Sequence, residues 1–131
     1  MTGSDIVGAL VTSDQDLIAI VLEASIKFGA LPEGVILPAL LIQLVSSIER
    51  QPLKRGATTR TVDRIAVTVR AASYRDQRAV IALLKKCCAG RTGDLGGAKS
   101  VSIQTAGTGP DLRGPGNTFE QTQDFRVSYD A

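Results

Sequence analysis

The stretch "VDRIAVTVRAA" (residues 62–72) alternates apolar side chains with mostly polar ones. Ile65, Val67 and Val69 share one side of the alternation, and charged or polar side chains occupy much of the other. Because successive side chains of a β-strand point to opposite faces, this pattern predicts a strand with one buried face. It is the clearest strand signal in the chain, and the neighbouring elements are assigned relative to it.

A second apolar run precedes this strand. The segment "ALLIQLVSSIE" (residues 39–49) is rich in Leu, Ile and Val and contains no Gly or Pro, which predicts another strand with a central place in the sheet. The two runs are neighbours in sequence, so we expect them to pair as a long hairpin. Residues 54–56 would form its projecting tip.

The connection between these strands, "ERQPLKRGATTRTVDR" (residues 49–64), is unusually basic. Five basic and two acidic residues give it a net charge of +3, whereas the whole chain carries only +2. A long ordered connection is often functional, and a basic one suits nucleic acid or an acidic protein surface, although a solvated loop without a function is the alternative. Its apolar Pro52 and Leu53 favour protein docking. The predicted interaction residues of this hairpin arm are Arg50, Pro52, Leu53, Lys54, Arg55 and Arg60.

The remaining chain predicts helices and two further strands. Residues 73–90 form an amphipathic helix, with Ser73 as its N-cap, Asp76 completing a capping box and Gly90 after its last turn. The first 24 residues contain one or two short helices, and residues 99–107 and 118–131 alternate as strands. The order predicts a single domain, residues 1–131, of class α+β. Its four-stranded, mostly antiparallel sheet would carry helices on one face and a long projecting hairpin between its first two main strands.

The composition argues against most enzyme classes. The chain contains no histidine, which excludes Ser-His-Asp and Cys-His catalysis and histidine-ligated metal sites. Cys87 and Cys88 are adjacent in sequence, and adjacent cysteines rarely bridge each other, so both are expected to pack within the helix as free thiols. The segment "GDLGGAKS" (residues 93–100) approaches a phosphate-binding loop, but Ala98 replaces a required glycine, and a helix precedes the segment where a strand is needed. The sequence therefore predicts no enzyme, no cofactor and no metal site.

The composition also argues against a surface that stacks nucleic-acid bases and against a membrane-spanning helix. Five aromatic residues are few for a base-stacking platform. No apolar run reaches the roughly 18 residues that a membrane-spanning helix needs.

Three segments together resemble the tail-completion, or tail-terminator, family of long-tailed bacteriophages and prophages. They are "LPEGVILPALLIQLVSS" (residues 31–47), "DRIAVTVRAASYRDQRAVIALLKKCC" (residues 63–88) and "DFRVSYD" (residues 124–130). No single motif is diagnostic. The three segments occur in the order typical of the family, and the resemblance covers most of the chain. The chain departs from the family pattern in the basic hairpin and in "TGPDLRGPGN" (residues 108–117), where family loops vary most.

This resemblance implies a non-enzymatic structural protein of the virion. Such proteins assemble in the host cytoplasm as a ring, typically hexameric, at the head-proximal end of the tail tube. The ring stops tube growth and joins the tail to the head connector. Its partners would be further copies of itself, the tail tube protein, the head-completion or connector protein and, transiently, DNA in the channel. A second set of contact residues is expected in the C-terminal loop: Asp111, Leu112 and Arg113.

Alternatives to this hypothesis remain open at this point. The first alternative, a head-completion or stopper protein, is close to the tail-terminator hypothesis because it is also a virion structural protein. A ferredoxin-like domain that binds a ligand or nucleic acid is a second, and an enzyme that uses Cys87 or Cys88 is a third.

Overall fold

The computed structural model describes residues 2–50, 53 and 59–130. In chain order its helices and strands are α1 (Gly3–Ser13), α2 (Gln15–Ile18), β1 (Ile26–Phe28), β2 (Ala39–Arg50), β3 (Arg60–Ala71), α3 (Tyr74–Cys88), β4 (Thr92–Leu95), β5 (Ala98–Thr108), β6 (Leu112–Gly114) and β7 (Thr118–Asp130). Short 3₁₀ turns occupy Glu23–Ser25 and Pro115–Asn117.

The prediction of a four-stranded, mostly antiparallel sheet is wrong, although the class is α+β. The sheet has seven strands in the order β1-β2-β3-β7-β5-β4, and β6 pairs with β7 beyond the end of β5. The sheet is mixed because β1 runs parallel to β2, while every other described pair is antiparallel. The strands missing from the four-stranded arrangement are β1, β4 and β6, which have only three or four residues and are too short to show an alternating pattern. Of these, β1 lies in "SIKFGA" (residues 25–30), which the sequence offers as a possible short strand.

The glycine-rich segment after α3, which approaches a phosphate-binding loop in sequence, is a β-hairpin. Leu95 and Ala98 are paired, so only Gly96 and Gly97 form the turn between β4 and β5. Both glycines have positive φ, 56° and 84°, which a tight hairpin turn requires and which glycine adopts without steric cost. The segment joins two strands, so it lacks the strand-to-helix geometry of a phosphate-binding loop.

The helices α1 and α3 pack on one face of the sheet. That face carries the alternate buried residues of the three long central strands, including Ile65 and Val67 of β3 and Phe125 and Val127 of β7. The predicted helix is confirmed as α3, where the Ser73 hydroxyl accepts from the backbone N–H of Asp76. Its buried stripe consists of Gln77, Val80, Ile81, Leu84, Cys87 and Cys88.

A buried carboxylate joins α1 to the sheet. One oxygen of Asp63, in β3, accepts from the Gly3 N–H at 2.8 Å and from the Tyr129 hydroxyl at 2.9 Å. A negative charge at a helix N-terminus is favourable because the first N–H groups of a helix have no partner within it. Asp63 therefore fixes the position of α1 above β3 and β7.

Candidate assembly surfaces

The two predicted contact regions lie at opposite ends of the β3–β7 strand pair. Arg60 pairs with Asp130 at one end, and Ala71 pairs with Phe119 at the other, where β6 also joins the sheet. Eleven residue steps separate Arg60 from Ala71 along β3, and at about 3.3 Å per step this is roughly 36 Å. The described bases of the hairpin arm, Arg50 and Arg60, therefore lie far from the C-terminal loop, and each region can contact a different partner.

At the hairpin end, the structure describes three of the six predicted arm residues. Arg50 is exposed at the end of β2, and Leu53 is fully exposed. The Arg60 guanidinium is already occupied within the protein, because it binds Asp130 at 3.1 Å and donates to the Ser100 carbonyl at 2.6 Å. The other predicted residues, Pro52, Lys54 and Arg55, lie outside the described residues.

Ion pairs continue along the outer face of β3 and β7, the face opposite the helices. Arg64 binds Asp124 at 2.7 Å and Arg70 binds Glu120 at 2.8 Å. Opposite charges across neighbouring strands stabilise their pairing. Two basic residues of the 49–64 stretch, at positions 60 and 64, are thus neutralised within the sheet, so the sequence count of +3 overstates the charge that this region presents.

The C-terminal loop is held against α3 and β7. The Asp111 carboxylate accepts from the Tyr74 hydroxyl at 2.9 Å and from the Gln77 amide at 2.8 Å. The hydrogen bond and the negative charge of Asp111 raise the pKa of Tyr74. The Arg113 guanidinium lies 4.2 Å from the centre of the Phe119 ring. Asp111 and Arg113 therefore shape the loop, and Leu112, half exposed, is the apolar side chain that it presents.

An exposed apolar edge on β2 was not predicted. Within the described residues, β1 covers only residues 40–42 of β2, so beyond them the side of β2 that faces away from β3 has no strand partner. Leu44, Val45 and Ile48 in this part are 48%, 56% and 64% exposed. A bulge between Leu44 and Ser46 also shifts the register with β3. We call residues 44–48 the β2 edge.

The apolar run of β2 is visible in the sequence, but it predicts burial and not an exposed edge. A run of apolar residues without breakers is typical of a strand buried on both faces, and it led to the prediction of a central strand. From residue 43 onward β2 is exposed on both faces, so among the described residues no helix covers this part of the strand, and the three-residue β1 leaves its outer side unpaired. The apolar run itself reveals neither feature.

In the described ranges, no three acidic or cysteine side chains cluster as metal ligands. Both cysteines are buried, and the hydrogen bond with Cys87, followed by burial, raises the pKa of the Cys88 thiol well above its usual range. An open cleft of about 500 Å³ between residues 31–37 and 115–118 contains Arg70, whose charge is paired with Glu120.

Over the part of the chain that the structure describes, no helix combines the length and apolarity that crossing a membrane requires.

Comparison with known proteins gives no family assignment but does show related folds. No family model matches this sequence. No curated protein matches it either. Among solved structures, a chain from the virion of a native gene transfer agent particle aligns with a TM-score of 0.71 and 14% identity, over 98% of this chain and 95% of its own length. A second solved chain aligns with a TM-score of 0.59 and 14% identity, over 98% and 96% of the two chains. At this identity the comparisons establish a shared fold.

Proposed function

We propose that this protein is a non-enzymatic structural component of a phage-like virion. It closes into a ring, expected to be hexameric, that caps the head-proximal end of the tail tube and joins the tail to the head connector. The near full-length fold likeness to a chain of a gene transfer agent virion supports a role of this kind. The ordered sequence segments that resemble tail terminators support the finer assignment.

The observation that carries the proposal is the β2 edge. Val45 and Ile48 expose apolar side chains along a strand whose outer side has no strand partner among the described residues. Natural proteins usually protect such edges with charges, prolines or a covering element, because the unpaired backbone groups and apolar side chains recruit another chain. An edge of this kind suits a permanent contact with a neighbouring copy.

The form of that contact follows from the sheet. The edge opposite β1 and β2 is β4, which is short and polar, so the two edges differ. Contacts between unlike surfaces of identical copies are head-to-tail, and they close into a ring when the rotation between copies allows it. The hairpin end and the β6 end of the β3–β7 pair would then contact two different partners, the tube and the connector.

Electron microscopy of the purified protein mixed with tail tubes of the same particle tests the proposal. We expect an annulus at one end of each tube and no further growth of capped tubes. The Lys54→Ser/Arg55→Ser double variant should form the ring but attach to the tube less often. Tubes that remain bare, or purified virions that lack this chain, would overturn the proposal.

A further inference from the structure

The positive charge of the described residues is concentrated on α3 and on residues 89–91, which follow it. From residue 74 to residue 91, five basic residues and one acidic residue give a net charge of +4. The other described residues carry eight basic and twelve acidic side chains, a net charge of −4. The strongest charge asymmetry of the described chain therefore lies on this helix and not on the β2–β3 connection.

Four of these basic residues share the solvent face of α3. Arg75, Arg78, Lys85 and Lys86 are all exposed, and none of them forms an ion pair with a described residue. At 3.6 residues per turn they occupy an arc of about 100°, and at 1.5 Å per residue they extend over about 17 Å of the helix. We call these four residues the basic face of α3.

The surroundings of the basic face contain little negative charge. Asp76 lies on the side of the helix, and Asp111 lies beside its first turn, where it is hydrogen-bonded to Tyr74 and Gln77. After the helix, the Arg91 guanidinium donates to the Cys87 carbonyl of the last turn and adds a further positive charge. A hydrogen bond with Cys88 lowers the pKa of the Cys87 thiol, and the negative charge of nearby Asp14 opposes that shift, so Asp14 is a third neighbouring carboxylate. The basic residues of this region still outnumber these three carboxylates.

The chemistry of the face favours a phosphate backbone over a protein surface. The exposed uncharged side chains in the middle of the face, Ala79 and Ala82, are small and offer no large anchor. The aromatic ring of Tyr74 lies only at its N-terminal end, with the Arg78 guanidinium 5.9 Å from the ring centre. Protein interfaces depend on such anchors and are depleted in lysine at their centres. Binding to duplex DNA without sequence specificity requires only lysine and arginine side chains that reach phosphates.

We infer that the basic face of α3 binds the phosphate backbone of double-stranded DNA without sequence specificity. The inference names a nucleic-acid partner for the proposed ring and rests on the proposed function only for the source of that DNA. Four phosphate contacts per protomer predict that the association constant falls about 150-fold between about 50 mM and about 200 mM salt.

Fluorescence anisotropy with a duplex of about 30 base pairs of arbitrary sequence, titrated at several salt concentrations, tests the inference. The Arg78→Ser/Lys85→Ser variant should retain a salt dependence of only about 12-fold over the same range, because two contacts are lost. The control, Lys99→Ser/Arg126→Ser, removes the same charge from exposed positions away from α3 and should behave as the parent protein does. Circular dichroism confirms that both variants are folded.

Equal loss of affinity in the two double variants would overturn the inference, because it would show a response to net charge alone. A poly-glutamate peptide that binds as tightly as the duplex would also overturn it, in favour of an acidic protein partner. Failure here and failure of the proposed function are separable. A protein that caps tubes but shows no α3-dependent DNA affinity refutes only this inference, and one that binds DNA but caps no tubes refutes only the proposed function.

Discussion

Arg60 and Asp130 face each other across β3 and β7, with 3.1 Å between the guanidinium nitrogen and the carboxylate oxygen. This pair joins the start of β3 to the end of β7, and the same guanidinium donates to the Ser100 carbonyl of β5. One residue of the predicted arm therefore ties three strands together at the hairpin end of the sheet. Its contacts therefore stabilise the fold.

Replacing this arginine should affect stability rather than assembly. We expect Arg60→Ser to lower the free energy of unfolding by about 0.5 to 1 kcal/mol, as is usual for a partly exposed ion pair. Arg50→Ser is the matched control, because Arg50 is its register partner on β2 and forms no ion pair with a described residue, so its effect should stay within about 0.5 kcal/mol. Urea denaturation measures both. Equal stability of the two variants would contradict the structural role of Arg60.

Charging the β2 edge should separate the ring into monomers that remain folded. Lysine on an edge strand opposes pairing with another strand, so Val45→Lys/Ile48→Lys should abolish the oligomer. Both side chains are exposed, and the melting temperature of the monomer should change little. Light scattering coupled to size-exclusion chromatography gives the mass. Leu112→Lys, which charges an exposed apolar residue at the other end of the sheet, should leave the mass of the oligomer unchanged; dissociation of that control as well would refute a specific role for β2.

The elements that sequence predicted correctly are those whose signals are local. The alternation in β3 reports a strand that is buried on one face, and the Ser73 cap lies in the same short segment as the helix it begins. Gly90 has a φ of 75°, as a glycine after a helix C-terminus often does. None of these features depends on a distant part of the chain.

The features that sequence did not predict depend on distant partners. Arg64 and Asp124 are 60 residues apart in sequence, and only the β3–β7 register brings them together. The exposed β2 edge likewise depends on which elements lie beside and over β2, because residues 43–50 are exposed on both faces and β1 has only three residues. Charge counted along a segment therefore misjudged the charge at the surface, and apolarity counted along a segment misjudged burial.

Removing the hydroxyl of Tyr129 should destabilise the protein more than removing that of Tyr74. Each hydroxyl donates to a carboxylate at 2.9 Å, but Tyr129 is 3% exposed and Tyr74 is 43% exposed. Tyr129→Phe leaves buried Asp63 with one donor fewer, and we expect a loss of about 1.5 to 3 kcal/mol. Tyr74→Phe should cost less than about 1 kcal/mol, because water can replace its hydroxyl. Urea denaturation at neutral pH compares the two, and a similar loss in both variants would contradict the buried role of Tyr129.

The same hydroxyl predicts a dependence of stability on alkaline pH. Burial, followed by the hydrogen bond to Asp63, raises the pKa of Tyr129 to about 12, compared with about 10 in the unfolded chain. The raised pKa means that the contribution is complete below about pH 10 and is lost as the pH rises through about 12. The difference in unfolding free energy between the parent protein and Tyr129→Phe should therefore shrink from pH 10 to pH 12. A difference that stays constant over this range would show that the hydroxyl titrates normally in the folded state.

The last prediction compares two glycines of α1, Gly3 at its first position and Gly8 in its interior, which have different neighbours. A Cβ added at Gly3 would lie 2.9 Å from the Cβ of Asp63 and 3.2 Å from the Ile65 Cδ1, and both neighbours are buried in β3. A Cβ added at Gly8 would lie 2.5 Å from the tip of the Phe28 ring, whose side chain is half exposed and can rotate away. Alanine within a helix is favoured over glycine by about 1 kcal/mol, so that gain can offset the movement at position 8 but not the clash at position 3.

We therefore expect Gly8→Ala to be neutral or slightly stabilising and Gly3→Ala to be destabilised by about 1 to 3 kcal/mol, the usual cost of overpacking a core. Thermal and urea unfolding of the two variants provide the comparison. The Gly3→Ala loss should also be smaller in a Tyr129→Phe background, because the displaced Asp63 carboxylate then has one hydrogen bond fewer to lose. Additive losses would show that α1 is positioned by its apolar contacts and not by the carboxylate that accepts from Gly3.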